Sequence, residues 1–579
     1  RNCDWSSDGV LFRSEEFAEK LADPDRFRLI HEVARVSGSS FRRYESLGLI
    51  TNLPGTGGLV RPSPQRDMML EEIRRNDVFE AEALLDSPTT AVAKLSVYAN
   101  PCDEKGDRLD VLVECSSECD AKDLREGYLM ESHLFEYFTV QNKQLRKSNE
   151  KGIASGDILI YPASYNATYD KEGKLNPLRG VVLNGARLKD DLRLAIIVNN
   201  DYRHVSWIKA MEVAINRRFY YQEGGKQRTV AVAKNDYEIQ LGPFPKYQLD
   251  PAHYLGTVMS IGFGESQGQV AERVRGCQRM LGSPDTARKA AWELEAIGTP
   301  EATEVLNLAL ANHDDEIRFY AAYSLAYLDR PESVPILQNL AKYQPKYRAH
   351  CLIGLCINDH PSARTALEGL LQEPESEVRY GAYHYLRQRD PRNPMVVGEP
   401  IGESFRCVQI PTTNPGIFVS MERRPEIVLM GGNQQLQIPK QLEPTPWLRI
   451  TPLSSGLIRV AKRAMTGEIN QTIITADIIS LIKVMPAIGG NYGDIVHALD
   501  AVSQINGCSA PIAFHPLPRT SRLYGGPVDG GPVDGAPVEA EPVDGGTVEE
   551  STPADDGSTT GSFENWSDQS KDRPRTTSS

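Results

Sequence analysis

The sequence predicts an α+β protein built of several mixed, β-rich modules, with an inserted α-solenoid and a disordered acidic C-terminal tail. Three observations predict this. Short runs of alternating or clustered β-branched and aliphatic residues, typical of half-buried strands, fill residues 27–270 and 397–520. Pairs of helical segments recur at a fixed interval within residues 271–396. Residues 521–579 are low in complexity and acidic, and cannot bury a core.

Composition and charge exclude several classes of protein. The 579 residues are enough for about four domains of roughly 150 residues each. The formal net charge is −14, and residues 525–579 carry −9 of it. The remainder has no strongly basic stripe, so we do not expect nucleic-acid binding. No run of 18 apolar residues is present, so we expect no membrane span.

The N-terminal region reads as strands interrupted by glycines. Residues 1–26 lack a regular pattern and are assigned to an N-terminal extension. The chain begins at Arg1 rather than Met, so we expect a preceding segment, for which a signal peptide is one candidate. Gly55–Gly58 has the sequence G-T-G-G, which predicts a tight turn with close backbone approach. A phosphate-binding loop is disfavoured because no lysine follows these glycines.

Helices and then a strand pair follow this turn. Gln65–Ser87 carries apolar residues at spacings that suit one or two amphipathic helices. Val92–Tyr98 and Arg108–Val113 are predicted strands, separated by turn-forming Asn, Pro, Gly and Asp. The segment Asp120–Gly127 predicts a short helical turn closed by its glycine.

The pattern then continues through residues 134–219. Leu134–Val140, Asp157–Tyr161 and Leu192–Val198 are predicted strands. Asn184-Gly185-Ala186 is a predicted turn. A helix is predicted to begin at Asp201-Tyr202, with Trp207, Met211 and Ile215 on its apolar side.

Three motifs in this part of the chain together resemble the flagellar P-ring protein family of bacteria. The first is L-G-L-I-T-N-L-P-G-T-G-G at Leu47–Gly58. The second is an R-L-D-V strand followed by D-A-K-x-L-x-x-G, which ends at Gly127. The third is the order N-G-A, L-x-L strand, D-Y helix start and A-I-N-x-x-F, which ends at Phe219. In the first motif the family usually has Tyr, Gly and Asp where this sequence has Leu47, Asn52 and Gly58.

The resemblance implies a structural protein rather than an enzyme. P-ring proteins are periplasmic and assemble into a ring around the flagellar rod, as part of the basal body and in association with peptidoglycan. The resemblance therefore implies a self-assembling subunit that contacts the rod and other basal-body ring proteins and acts as a bushing. It implies no catalytic residue and no cofactor. The sequence agrees with a non-enzymatic role, because it contains no nucleophile elbow, no H-E-x-x-H motif and no Walker lysine.

The segment after residue 271 departs from that family. Pro300, Pro331, Pro361 and Pro391 are 31, 30 and 30 residues apart, and leucine or tyrosine lies six residues before each. Each unit reads as a helix, a proline-containing turn and a second helix, which bury their apolar faces by stacking. The segment resembles HEAT-type repeats. Its concave surface suggests an alternative function, a non-flagellar cell-envelope scaffold that binds a protein partner.

Recurring polar residues of the repeats raise the question of a ligand site. Arginines recur in successive repeats, and a ligand cluster or an inter-repeat hydrogen bond would each explain them; we favour the hydrogen bond. The histidines lie in different repeats without the i, i+4 pairing of a helical metal site, so we expect no metal. These residues are Arg318, Arg348, Arg379, His313, His350, His360 and His384.

The β pattern returns after the repeats. Residues 397–520 resemble a second, patchier P-ring-like domain, with an amphipathic helix predicted over Gly490–Ser509. The predicted strands are Phe405–Val408, Gly416–Ser420, Glu426–Met430 and Leu457–Val460.

Nine cysteines suggest limited covalent cross-linking. Cys102, Cys115 and Cys119 flank the second predicted strand. In an oxidising compartment we expect a disulfide from Cys102 to Cys115 or Cys119, and the equal alternative is free buried thiols. Zinc binding is less favoured, because C-x3-C lacks a second pair or a nearby histidine.

Overall fold

A computed structural model describes the chain from residue 28 to residue 524 with short gaps. The sequence predicts a disordered tail at residues 521–579, but residues 521–524 belong to a 3-10 turn in which Arg522 bonds to Glu377. The rest of that segment, from residue 525 onward, and the N-terminal extension lie outside the described residues. Helices and strands are both abundant, which confirms the α+β class. The described ranges are 28–75, 80–139, 145–166, 175–192, 194–453 and 456–524.

The first half of the chain alternates strands with short helices. Its elements are β1 (Arg28–Leu29), α1 (Ile30–Val33), β2 (Ala34–Ser37), β3 (Arg42–Thr51), α2 (Pro64–Arg75), α3 (Ala81–Leu85), β4 (Ala91–Ala99), β5 (Arg108–Cys115), β6 (Tyr128–Thr139), β7 (Leu145–Asp157), β8 (Leu159–Ile160), α4 (Ala163–Asn166), β9 (Arg179–Leu188), β10 (Leu194–Val198), α5 (Val205–Arg218), β11 (Tyr220–Glu223), β12 (Lys226–Thr229), β13 (Ala231–Ala233), β14 (Glu238–Leu241), α6 (Pro251–Met259) and β15 (Gly262–Phe263).

Six of these strands close into an antiparallel barrel. The neighbour order is β5-β4-β3-β6-β7-β9, and β5 also pairs with β9, which closes the sheet. The short β8 adds to β9. Alternate residues such as Leu95 and Val97 on β4 point into the barrel, while Lys94 points out, as the period of a strand requires. The barrel therefore encloses a core of its own.

The predicted helical turn at Asp120–Gly127 is wrong. No helix forms here, because most of its backbone N–H groups bond to other parts of the chain; one turn remains at its end, where Gly127 N donates to Leu124 O at 3.1 Å. Asp120 N donates to Leu59 O, Lys122 N to Thr56 O and Leu124 N to Pro177 O.

The G-T-G-G turn packs against this irregular segment. A Cβ atom on Gly57 would lie 2.1 Å from Thr90 O, and one on Gly58 would lie 2.4 Å from the carbonyl carbon of Asp120. Gly57 N and Gly58 N are already bonded to Pro88 O and Thr90 O. The glycines are needed for close backbone approach, as predicted, and their N–H groups are not available to cradle a phosphate.

A smaller four-stranded sheet in the order β13-β14-β10-β2 lies alongside α5. The predicted helix start at Asp201-Tyr202 is a separate 3-10 turn. The helix α5 begins three residues later because His204 caps it, with Nδ1 accepting from Ser206 N at 3.3 Å. Strand β1 pairs with β15, so the two ends of this half meet just before the repeats begin.

The solenoid consists of stacked helices. Pro300 and Pro361 are each the first residue of a helix, where a missing N–H costs nothing. Thr299 and His360 cap these two helices through their side chains. The helices are α7 (Gln267–Met280), α8 (Pro284–Ile297), α9 (Pro300–Ala309), α10 (Asp315–Tyr327), α11 (Ser333–Tyr343), α12 (Arg348–Ile357), α13 (Pro361–Leu370) and α14 (Ser376–Arg389).

The C-terminal module contains two sheets and two main helices. One sheet has the order β16-β17-β19-β18-β24 and the other the order β20-β21-β22-β23. The elements are α15 (Pro394–Val397), β16 (Glu399–Ile401), β17 (Phe405–Ile410), β18 (Gly416–Val419), β19 (Glu426–Met430), β20 (Leu442–Thr445), β21 (Leu448–Pro452), β22 (Leu457–Arg463), β23 (Ile469–Thr475), α16 (Ile478–Val484), α17 (Tyr492–Gln504) and β24 (Ile512–Phe514).

Two further cores lie outside the barrel. One is continuous from Ile30 in the small sheet region, through Tyr254 on α6 and Leu325 in the repeats, to Phe418 on β18. The other fills the C-terminal module and includes Leu159, a barrel residue. The helical repeats thus share a core with the segments on both sides of them.

Candidate functional site

The described ranges contain no candidate metal centre. No group of three or more His, Cys, Asp or Glu side chains there is arranged to hold a metal ion. None of the described helices is both long and apolar enough to cross a membrane. The notable polar clusters lie where the modules meet. We therefore treat these junctions as the candidate functional site.

The first junction joins α6 to the solenoid through a buried histidine and glutamate. His253 is 2% exposed and Glu295 on α8 is fully buried. Trp292 Nε1 donates to His253 Nδ1 at 2.7 Å, so the ring proton is on Nε2. His253 Nε2 therefore donates to Glu295 Oε2, at 2.8 Å. Tyr247 OH and Thr257 Oγ1 donate to the other carboxylate oxygen.

A second carboxylate extends this junction to the next repeat. Asp250 caps α6, since its Oδ1 accepts from His253 N at 3.0 Å. Its Oδ2 accepts from Tyr323 OH on α10 at 2.9 Å. The Tyr247 and Tyr327 rings stack at 4.2 Å between centroids. Burial first, and Glu295 second, raise the pKa of Tyr247 well above its ordinary value, so this phenol stays a donor.

The hydrogen bonds of this network fix how α6 packs against the solenoid. Both oxygens of Glu295 and both nitrogens of His253 have partners, which a buried polar group requires. Removing one member would leave the others buried without partners, which is far more costly than losing one exposed hydrogen bond.

The second junction joins the barrel to the C-terminal module through Asp110 of the R-L-D-V motif. Its Oδ1 accepts from Asn184 N and its Oδ2 from Arg423 N, each at 2.7 Å. Asn184 has φ +52° and Arg423 has φ +56°, a left-handed conformation that favours glycine. Burial raises the pKa of Asp110 to about 6, although both backbone N–H groups oppose this. Asn184 lies within β9, where the register with β5 shifts, so the predicted turn at Asn184-Gly185-Ala186 is an irregularity in a strand. One carboxylate thus holds two residues in a strained conformation, one from each module.

The third junction also joins the barrel to the C-terminal module, at Glu126 in the irregular segment after β5. Glu126 Oε1 accepts from Trp447 Nε1 at 3.0 Å, and Oε2 from Lys462 Nζ at 2.9 Å. The same Lys462 Nζ bonds to Asp494 Oδ2 at 2.5 Å. Glu126 itself has φ +64°. Two carboxylates therefore share one ammonium group at the contact between the barrel and the C-terminal module.

The electrostatics of this cluster follow from burial. Burial, and then the charge of Asp494, raise the pKa of Glu126 to about 7. Burial disfavours the charged form of Lys462, but Asp494 and Glu126 outweigh it and hold the pKa of Lys462 above its ordinary value. The cluster can take up a proton near neutral pH without losing its lysine charge.

Two of the recurring arginines of the repeats, Arg348 and Arg379, form hydrogen bonds to other elements of the chain. Arg348 and Arg522 both bond to Glu377, which ties the last described turn of the chain to the solenoid. Arg379 Nη1 donates to Asn414 O at 2.6 Å and so bonds α14 to the C-terminal module. These contacts agree with the hydrogen-bonding interpretation and not with a ligand cluster.

The structure does not bring the three predicted cysteines together. Cys115 Sγ lies 3.9 Å from Val92 O, and Cys119 Sγ lies 3.6 Å from Gly58 O. Cys102 lies beyond the far end of β4, in the core shared with the repeats. Cys115 pairs with Ala93 near the start of β4. The distance along the strand is roughly 20 Å at about 3.3 Å per residue. All three are free thiols in the structure.

Sequence reasoning did not single out Glu126, Lys462, His253 or Glu295. A glutamate in a left-handed conformation, such as Glu126, and a lysine on a strand, such as Lys462, carry no local signal of a buried contact. These two residues bond to each other although they are 336 positions apart in the sequence. The one available signal was polar residues within otherwise apolar helical faces, as at His253 and Glu295.

Comparison with known proteins agrees with this architecture. The family model described as Flagellar P-ring protein matches residues 29–270, and the one described as HEAT repeats matches residues 277–346. The Flagellar P-ring protein of Sinorhizobium medicae is 28% identical over 239 residues, which are 39% of this chain and 59% of that protein. The chain therefore spans about 59% of the length of this curated relative. The resemblances to P-ring proteins and to HEAT-type repeats are thus confirmed for these segments.

Proposed function

We propose that this chain is a structural subunit that assembles with copies of itself into the P ring of a flagellar basal body. The observation that carries the proposal is the P-ring match over residues 29–270, the segment that forms the barrel and the small sheet. The buried junctions support it, because a load-bearing subunit must keep its modules in fixed positions.

On this proposal the protein acts in the periplasm, around the flagellar rod, as a bushing. Its partners are the rod, other ring proteins of the basal body and peptidoglycan. We expect this function to need no cofactor, because such a subunit acts through its shape and through its contacts with other proteins.

A ring needs a surface on each subunit that binds another copy. The edge strand β23 has the features of such a surface. It pairs with β22 on one side in an unbroken register, and its free edge is not paired within the described residues. Ile469 and Ile473 are 64% and 53% exposed. A regular, apolar edge without proline, charge or bulge is what proteins normally avoid unless another strand covers it.

We assign that covering strand to a second copy of this chain. The sequence of β23, I-N-Q-T-I-I-T, is uncharged although the chain carries −14. An uncharged strand allows two copies of an acidic protein to approach without like charges facing each other.

The assembly surface is tested by replacing Ile473 with Lys, which places a buried charge in the proposed contact. We expect Ile473→Lys to weaken self-association at least about tenfold, which corresponds to 1.4 kcal/mol. Analytical ultracentrifugation of the full chain measures this. Val213→Lys is the matched control, because Val213 is 64% exposed on α5. Equal association of both variants would rule out β23 as the contact.

Negative-stain electron microscopy tests the function itself. Purified protein and basal bodies from the native cell should show closed rings that encircle the rod. Isolated particles without rings in both samples would overturn the proposal.

The second candidate function is a cell-envelope scaffold that binds a protein partner through the repeats. Such a partner needs a row of helices that the rest of the chain leaves exposed. Helices α10 and α12 are buried along most of their length by the rest of the chain. The alternate row, α9, α11 and α13, keeps one exposed face, with Leu308 and Tyr343 60% and 70% exposed. The absence of rings in both microscopy samples would favour this function.

A further inference from the structure

A small cavity lies at the third junction, where the barrel meets the C-terminal module. Its barrel side includes Glu126, Ile158 and Ile160, and its opposite side includes Asp494 and His497 of α17. About 10 Å³ is open to the centre of a water-sized molecule, which is room for one water. The cavity therefore suits a ligand no larger than a water molecule.

Two polar side chains that line this cavity are buried without a partner. Asp494 and His497 are three positions apart on α17, so both lie on the same face of the helix. They are 1% and 5% exposed. Among the described residues, Asp494 Oδ1 and His497 Nε2 have no hydrogen-bond partner. Buried polar atoms of folded proteins nearly always have one, either in the protein or in ordered water.

We propose that this cavity binds one water molecule, which bridges Asp494 Oδ1 and His497 Nε2 at the contact between the two modules. The water donates one proton to the carboxylate oxygen and bonds to the imidazole nitrogen through its other proton or a lone pair. Thr445 also lines the cavity and can supply a third bond, since its Oγ1 accepts from Leu448 N and its hydroxyl proton is still available. Three partners are typical of a buried water.

The charges around the cavity favour water over a metal cation. Asp494 Oδ2 already bonds to Lys462 Nζ at 2.5 Å and accepts from Asn491 N at 3.0 Å. A cation on Oδ1 would lie close to the Lys462 ammonium group and be repelled by it. Burial, and then the charge of Arg125, lower the pKa of His497 to about 3, so its ring is neutral and bonds readily to a neutral ligand.

The bound water extends the third junction. Lys462 bonds to Glu126 of the barrel and to Asp494 of α17. Through the water, His497 joins the same network, and both oxygens of Asp494 have partners. The contact between the modules is then a continuous hydrogen-bond network and not an isolated ion pair.

Relaxation dispersion of solvent ¹⁷O tests this on the full chain, because it counts the long-lived waters that a protein holds. Wild type is compared with His497→Met and His497→Gln. Methionine is flexible and apolar, so it fills the cavity and offers no nitrogen, whereas glutamine retains an amide group that can bond to the water. We expect His497→Met to lose one long-lived water relative to wild type and His497→Gln to keep it.

Two outcomes overturn the proposal. Equal counts in wild type and His497→Met would mean that no long-lived water occupies the cavity. Loss of a water from both variants would mean that any change at position 497 releases it, whether or not a bonding group is kept. The outcome does not depend on ring assembly, because variants of the same chain are compared.

A second measurement does not require that His497→Met folds. In wild-type protein labelled with ¹⁵N at histidine, we expect magnetisation transfer from a long-lived water to the ring of His497. The signal is assigned by its disappearance in His497→Gln. A His497 ring that shows no transfer from water overturns the proposal.

Discussion

The barrel and the helical repeats are both joined to the rest of the chain, but by different means. The barrel surrounds a core of its own and meets the C-terminal module through two carboxylates, Asp110 and Glu126. It also meets that module through a few apolar residues on β8 and β9, such as Leu159 and Val181, that belong to the C-terminal core. The apolar residues of the repeats instead belong to one core with the small sheet before them and strand β18 after them. The difference teaches that the helical repeats are integral to the packing of the segments on both sides of them.

Deleting residues 272–395 is the strongest test of this comparison. The deletion would expose apolar residues such as Phe219, Tyr254 and Phe418, which pack in the shared core. We expect the variant to lose cooperative unfolding and to aggregate, because burial of such side chains contributes about 1.5–3 kcal/mol each. Circular dichroism during thermal unfolding measures this.

The matched deletion removes residues 525–579, a low-complexity segment outside the described residues. We expect this shorter chain to unfold cooperatively near the wild-type temperature. A cooperative transition in the chain without residues 272–395 would show instead that the flanking segments form a core by themselves.

A single substitution sharpens the comparison by breaking the buried network at the solenoid junction. Glu295→Gln replaces a carboxylate that accepts from His253, Tyr247 and Thr257. We expect the free energy of unfolding to fall by about 1.5–3 kcal/mol, because the buried donors lose a charged acceptor and the amide of Gln offers one acceptor oxygen in place of two. Urea denaturation followed by fluorescence measures this loss.

Glu301→Gln is the control for that substitution. Glu301 is exposed on α9, so we expect a change within about 0.5 kcal/mol. Equal effects of the two substitutions would mean that the junction does not depend on its buried carboxylate.

The sequence predicted those features that local pattern determines. The strands β4 and β5, the proline-started repeat helices and the close-packed G-T-G-G turn all follow from periodicity, helix caps and glycine. The helical turn at Asp120–Gly127 failed because its N–H groups bond to Thr56, Leu59 and Pro177, which no local pattern reveals.

The junctions were missed for the same physical reason. Asp110 and Arg423 are 313 residues apart, and Glu126 and Lys462 are 336 apart. Each residue alone looks like an ordinary charged surface position. The sequence also could not show that the rest of the chain buries α10 and α12, because the repeat pattern shows which face is apolar but not what packs against it.

The pH dependence of the barrel junction gives the smallest expected effect. The pKa of Glu126 is raised to about 7 from an ordinary 4.5, so the folded protein binds this proton more tightly than the unfolded chain does. The free energy of unfolding should therefore fall as pH rises from about 4.5 to 7, by about 2 kcal/mol from this residue. Glu126→Gln, which cannot ionise, should lack that part of the fall.

The comparison must be made between wild type and variant, because Asp103 and Asp110 also have raised pKa values of about 6 and contribute falls of the same sign. Urea denaturation at several pH values between 5 and 8 gives the difference directly. Glu131→Gln, at an exposed position on β6, should follow the wild-type curve. If Glu126→Gln also follows that curve, Glu126 takes up no proton in this pH range, because Lys462 keeps it ionised. The barrel is then held by a permanent ion pair, and protonation does not strengthen the junction.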